Sequence, residues 1–121
     1  MKVMLVDDDR TMRSLLKTLL EIEKFDVVAF EDFRQGNILE QIRSEKPDVL
    51  IMDIFLRDIN GLDILRALRQ DRDLAQIKVM MTSGTAMQEE CTSAGADAFL
   101  LKPYMPDDLL SLIRQVRQPQ Q

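Results

Sequence analysis

Four short apolar runs in this chain each end in residues with chemical potential. The run 3–6 leads into three carboxylates, Asp7, Asp8 and Asp9, and the run 49–52 into Asp53. The run 79–81 leads into Thr82-Ser83, and the run 98–101 into Lys102-Pro103. Ligands of an open parallel sheet bind at the carboxyl ends of its strands. If these runs are neighbouring parallel strands, their end residues share one pocket. Carboxylates brought within about 4 Å repel by about 4 kcal/mol per pair at an effective dielectric near 20. Lys102 offsets one charge. Mg²⁺ would offset two more, and it prefers carboxylate, water and phosphate oxygens. Phosphate in such a pocket meets a point charge at Lys102 and a hydroxyl at Thr82. Asp53 is then a candidate nucleophile toward phosphorus.

Each residue also has a plainer role. Asp9, directly before a helical stretch, reads first as a helix N-cap. Asp53 alone reads equally as a turn former. Thr82 and Ser83 read as caps of the following helix, and Phe99 as core.

The elements that would position these groups follow from periodicity. Met12, Leu15, Leu16, Leu19 and Leu20 form one apolar face of a helix expected over 11–24. A strand is expected at 27–29. Phe33, Ile38, Leu39 and Ile42 predict a second helix that ends before Pro47. Leu62, Leu65 and Leu68 mark a third helix, entered through the turn pair Asn60-Gly61. Met87, Cys91 and Ala94 give a short fourth helix that stops at Gly95. Leu109, Leu112, Ile113 and Val116 define a fifth, with Pro106 in its first turn and Asp107 and Asp108 against its dipole. Strands that are almost continuously apolar imply a parallel sheet covered on both faces. The expected fold is α/β: a doubly wound, five-stranded parallel sheet of order 2-1-3-4-5, flavodoxin-like, in three αβα layers. That order sets the first and third strands side by side. Residues 1–117 are expected to form the domain and 118–121 a tail or linker stub.

Composition removes several classes. The 121 residues fit one domain, and the absence of histidine excludes imidazole bases and the commonest zinc ligands. One cysteine, Cys91, allows no disulfide framework. A net charge of −5 without clustered cations argues against direct nucleic-acid contact. No apolar stretch is long enough to span a membrane, and a cytoplasmic location is expected.

With these residues in place, the chain resembles the receiver domains of two-component response regulators. The resemblance rests on Val-Asp-Asp-Asp at 6–9, Asp53 with Gly61 eight positions on, Thr82-Ser83, Gly95-Ala96 and Lys102-Pro103. It implies that Asp53 accepts a phosphoryl group from a sensor histidine kinase or a histidine phosphotransfer protein. It implies that Asp8, the Asp53 carboxylate and the Phe55 carbonyl ligate Mg²⁺, with Asp7 acting through water. Thr82 would be the hydroxyl that moves toward the phosphoryl group and Phe99 the aromatic switch, with the Lys102–Pro103 bond cis. The output would be binding to a downstream protein or output domain, or homodimerisation. Such a module catalyses its own phosphotransfer and slow dephosphorylation without being a conventional turnover enzyme.

Three departures from the pattern stand out. Arg57 replaces the usual Pro four positions after Asp53, and the segment from Thr82 to Lys102 is short across the fourth helix. Phe55 and Gly84 occupy positions whose side chains influence attack by water, and neither offers a hydrogen bond. Slow loss of phosphate is the expectation. Two rival readings remain. A receiver-like adaptor working without phosphorylation would normally lack part of the acidic set or the Lys. A haloacid-dehalogenase-like phosphohydrolase would use Asp7 as nucleophile, since Asp7-Asp8-Asp9-Arg10-Thr11 spells D-x-D-x-T. It leaves Asp53 without a role and finds no acidic pair at a late strand end.

Overall fold

Alternation along the strands sorts apolar side chains to two opposite faces, and each face is covered by helices. The architecture is seen in a computed structural model describing residues 1–30 and 37–117. In chain order the elements are β1 (Lys2–Val6), α1 (Arg10–Ile22), β2 (Asp26–Phe30), α2 (Asn37–Glu45) and β3 (Val49–Asp53). They continue with β4 (Phe55–Leu56), β5 (Ile59–Asn60), α3 (Gly61–Gln70), β6 (Lys78–Ser83), α4 (Gln88–Ala94), β7 (Ala98–Leu101) and α5 (Pro106–Arg117). The main sheet is parallel, in order β2-β1-β3-β6-β7. With the two-residue strands β4 and β5 set aside, this is the expected 2-1-3-4-5. Those two pair antiparallel in a small ribbon that sequence periodicity does not reveal, because two residues define no period.

Val3 and Leu5 face the core that includes Leu16 and Leu20 of α1 and Leu109 and Ile113 of α5. Met4 and Val6 face the other core, with Ile42, Leu65 and Cys91 of α2, α3 and α4. All five residues of β3 are buried, as a central strand covered on both sides requires. Among the described residues no helix is long and apolar enough to cross a membrane. Phe33, expected on the second helix, and the tail 118–121 lie outside the described residues.

The helix boundaries carry corrections. α1 stops at Ile22 rather than 24, because Lys24 adopts a left-handed φ of 72°. The Phe25 N–H then closes the end by donating to the Leu20 carbonyl at 3.0 Å. Leu15, expected on the buried face, is 60% exposed. The buried stripe is narrower than the apolar pattern and includes Arg13 instead. α2 ends at Glu45, and Lys46 ahead of Pro47 takes a φ of 49°, outside the right-handed helix. Thr82 and Ser83 do not cap α4. Its N-cap position is Met87, which makes no side-chain cap hydrogen bond, whereas the Ser83 hydroxyl accepts from the Thr85 N–H at 3.0 Å.

At the far end of the sheet, Arg69 of α3 gathers four acceptors. Its guanidinium donates to the carbonyls of Gly95, Ala75 and Ile77 and to Asp97 Oδ2, at 2.7–2.8 Å. Gly95 ends α4 with φ 106°, and a Cβ there would lie 2.8 Å from Arg69 Cγ. Glycine is required on both counts.

Candidate functional site

Register brings the predicted residues together at the carboxyl ends of the strands. Asp53, the last residue of β3, is paired with Thr82 of β6, and Ser83 with Leu101 of β7. The ladder runs one step further: the Ile54 N–H donates to the Thr82 carbonyl at 2.9 Å and the Lys102 N–H to the Ser83 carbonyl at 2.8 Å. These bonds set Thr82 beside Asp53 and aim Lys102 back at it. The Thr82 hydroxyl donates to Asp53 Oδ1 at 3.1 Å. Lys102 Nζ donates to Asp53 Oδ2 at 2.8 Å and to Asp7 Oδ2 at 3.3 Å. Asp7, Asp53 and Thr82 are buried, and the Lys102–Pro103 peptide is cis.

The electrostatics follow from two buried carboxylates sharing one ammonium. Burial pushes the Asp53 carboxyl up from its usual range. Hydrogen bonding and charge from Lys102 oppose this, the Asp7 charge reinforces it, and the Thr82 hydrogen bond opposes it. For Lys102, burial alone would lower the ammonium, but Asp53 and Asp7 outweigh it and the group is held above its ordinary value. The cation sees two anions, while each anion sees half a cation and another anion. The cluster is therefore short of positive charge.

Asp7, Asp8 and Asp53 each bring one carboxylate oxygen within 4.8 Å of the others. Three hard oxygens, with an ammonium too far committed to neutralise them, fit a divalent cation of the magnesium type. Asp9 is outside this set: its Oδ1 accepts from the Met12 N–H at 3.1 Å, so it is the N-cap of α1. Asp8 is half-buried, and its Oδ2 accepts from the Arg57 backbone N–H at 3.2 Å. Phe55 lies two residues past Asp53, at the start of the ribbon, with its side chain 55% exposed. Phe99 is half-buried against the α2–α3–α4 core. Asp107 and Asp108 sit exposed in the first turn of α5. They supply no acidic pair at a strand end, which removes what the phosphohydrolase reading requires.

Two features of the site are not evident from the sequence. Arg13 is only 7% exposed, and its guanidinium donates to the Asp7 carbonyl at 2.6 Å. This contact fixes the backbone of Asp7 where β1 leads toward α1. A signal for it exists, since Arg13 precedes Leu16 and Leu20 by the three and seven residues of a helical stripe. Gly61 stands out in the sequence by its spacing, but the reason for glycine is steric. A Cβ at this position would lie 2.4 Å from the Asp53 carbonyl oxygen, and the Gly61 N–H donates to the Ile54 carbonyl at 2.6 Å. Only glycine lets α3 begin this close to the backbone of the central aspartate.

Comparison with known proteins agrees with this geometry. The family described as the response regulator receiver domain matches residues 3–114. Among curated proteins, the transcriptional regulatory protein CpxR of Escherichia coli (strain K12) is 35% identical over 115 residues, covering 95% of this chain and 48% of CpxR. The DNA-binding response regulator MtrA of Mycobacterium tuberculosis (strain ATCC 25618 / H37Rv) is 29% identical over 113 residues, covering 93% of this chain and 49% of MtrA. The chain thus spans about half the length of the curated relatives it matches. Among solved structures, a putative response regulator from Chloroflexus aurantiacus J-10-fl superposes with TM-score 0.85 at 26% identity, covering 96% of both chains. The chemotaxis response regulator CheY4 of Vibrio cholerae gives 0.84 at 25% identity, covering 95% of this chain and 97% of that one.

Proposed function

The chain belongs to the response regulator receiver family of two-component signalling, and from that premise we propose that Asp53 is its phosphoryl acceptor. The observation that carries this is the Asp53 side chain itself. It is buried at the centre of the site, with a hydroxyl on one oxygen and an ammonium on the other. An Asp53 oxygen attacks the phosphorus of a phosphohistidine. The new P–O bond forms as the P–N bond breaks, and the imidazole leaves neutral, taking the P–N electron pair on one nitrogen and keeping the proton already on the other. Phosphoryl transfer asks mainly for positioning and charge stabilisation. Lys102, already on Asp53 Oδ2, is placed to follow the charge onto the phosphoryl oxygens. Asp7, Asp8, Asp53 and the Phe55 carbonyl are the groups that would hold Mg²⁺. When bound, the ion supplies the positive charge that the cluster lacks.

Phosphoaspartate carries added charge and strong acceptor oxygens. Thr82 would turn from the Asp53 carboxylate to the phosphoryl group, and Phe99 on the neighbouring strand would respond. The proposed partners are a sensor histidine kinase or histidine phosphotransfer protein upstream, and a downstream protein, output domain or second copy of the chain as readout. A net charge of −5 supports a domain that does not itself touch nucleic acid. The absence of a membrane-length helix among the described residues supports work in the cytoplasm.

Intact mass after incubation with acetyl phosphate and Mg²⁺ tests the assignment. One added phosphate is expected on the wild type and none on Asp53→Asn. Phosphate retained by Asp53→Asn, or turnover of a phosphate ester that survives Asp53→Asn but not Asp7→Asn, would overturn it.

A further inference from the structure

Asp53 lies at the floor of the site, and an aromatic ring stands at its rim. Asp53 is 8% exposed, whereas Phe55, two positions on, is 55% exposed and belongs to neither apolar core. Among the described residues it is the one aromatic in the set of exposed large apolar side chains. Its place is fixed from both sides. Ile54 before it is fully buried, and the Ile54 N–H donates to the Thr82 carbonyl at 2.9 Å. After it, Leu56 is fully buried and the Arg57 N–H donates to Asp8 Oδ2 at 3.2 Å. Phe55 therefore sits in the chain between Asp53 and a residue that touches Asp8. On the β6 side, Thr82 holds Asp53 Oδ1, and two residues on comes Gly84, where an added Cβ would meet nothing within 4 Å. One side of the entrance carries a ring, and the other is left open.

The charged groups of the site take hold of a phosphoryl group, which every donor carries, and leave the choice of donor open. In phosphoryl transfer the attacking and leaving atoms lie roughly in line through phosphorus. Attack from a buried oxygen therefore sends the leaving group outward, to the level of the rim. We propose that Phe55 is a specificity-determining residue for the phosphoryl donor: its ring packs against the departing imidazole and favours heteroaromatic phosphoramidates over donors without a ring. The inference rests on Asp53 being the phosphoryl acceptor. An aromatic pair in offset or edge-to-face contact is worth about 2–12-fold in a rate constant when it is made with the reacting donor. The Phe55 side chain offers neither charge nor a hydrogen bond, so ring contact is the discrimination it can supply.

The test compares phosphoimidazole with phosphoramidate, which has the same P–N bond and no ring. Each is incubated with the full chain and Mg²⁺, and phosphorylation is followed by intact mass in the range where rate is proportional to donor concentration. The readout is the ratio of the two rates. It cancels any general effect of a substitution on the cation or on Asp53, and the change between proteins cancels the intrinsic reactivity of the donors. Phe55→Leu should lower the ratio of phosphoimidazole to phosphoramidate at least about threefold, and Phe55→Tyr, which keeps a ring, should hold it within about twofold of wild type. A ratio unchanged in Phe55→Leu, or lost equally in Phe55→Tyr, overturns the proposal and leaves Asp53 as the acceptor. A wild type that takes phosphate from neither donor overturns the Asp53 reading and the proposal with it.

Discussion

Removing the central charge should make the metal-free domain more stable. In Asp53→Asn the amide oxygen can still accept from Lys102 while the NH2 group faces the Thr82 hydroxyl as a donor, and the negative charge is gone. The lost attraction to Lys102 at 2.8 Å is about 6 kcal/mol at an effective dielectric near 20. Against it stands relief from Asp7, about 3.5 kcal/mol or more at a separation within 4.8 Å. A smaller, solvent-screened contribution comes from half-buried Asp8. Release from burying an anion adds several kcal/mol. The balance favours the variant by about 1–3 kcal/mol, or about 4 °C in Tm for each kcal/mol. The direction agrees with the raised Asp53 pKa, whose first cause is burial. Stability tied to the neutral carboxyl is fully present below the unfolded value near 4 and is lost as pH rises through the higher folded value. The gap between variant and wild type should therefore open from about pH 4 toward pH 7. Saturating Mg²⁺ should reverse it, since a ligand at about 100 times its Kd adds about 2.7 kcal/mol to the wild type. Urea denaturation with EDTA or with Mg²⁺, at pH 4 and pH 7, measures all four corners. Equal stability in EDTA at pH 7, or a gap indifferent to both pH and Mg²⁺, would refute the charge-deficit reasoning.

Gly61→Ala should destabilise the domain by about 2–4 kcal/mol in urea denaturation, because its Cβ would fall 2.4 Å from the Asp53 carbonyl oxygen. A loss under about 1 kcal/mol would show that the α3 start yields easily. Installing Asn at 55 and Glu at 84 together should speed phosphate loss at least several-fold, followed by decay of the phosphorylated mass. A Cβ added at Gly84 would meet nothing within 4 Å, so a side chain there has room to reach the site. Unchanged decay would remove both positions from control of the attacking water. Tyr104 is the only tyrosine in a chain without tryptophan, so absorbance near 295 nm reports on it alone. Burial pushes its phenol up to about 12, so it should stay protonated well beyond pH 10, and stability tied to the neutral ring should fade as pH rises through about 12. A midpoint near 10 in the folded protein would contradict that packing.

The strand ends were legible because a buried parallel strand has an unmistakable composition: five consecutive buried residues in β3 end at a charge. Asp53, Thr82 and Lys102 could be placed together from that alone, since strand order fixes who neighbours whom. What stayed hidden was set by geometry without a composition. The β4–β5 ribbon is too short to show a period, and the Asp8–Arg57 contact uses a backbone group that every residue but proline possesses. Arg13 was hidden by expectation, because arginine is seldom buried unless paired. Leu15 erred in the opposite direction: apolar spacing marked it as core, yet the helix turns it to solvent.

α4 is fastened unequally. At Gly95 the Arg69 guanidinium rivets its C-terminus to α3 and to the loop before β6. Its N-terminus begins at Met87 with no side-chain clasp, just past the Ser83–Thr85 turn that leaves the site. Met87 packs on the core, so the front of α4 is held by apolar contact and its rear by hydrogen bonds. Apolar contact tolerates sliding more readily than directed hydrogen bonds do, so a displacement of Thr82, should phosphorylation cause one as proposed, would be taken up more easily at the front of α4 than at its rear. The unequal fastening of the fourth helix makes its front end the part to watch in the phosphorylated protein.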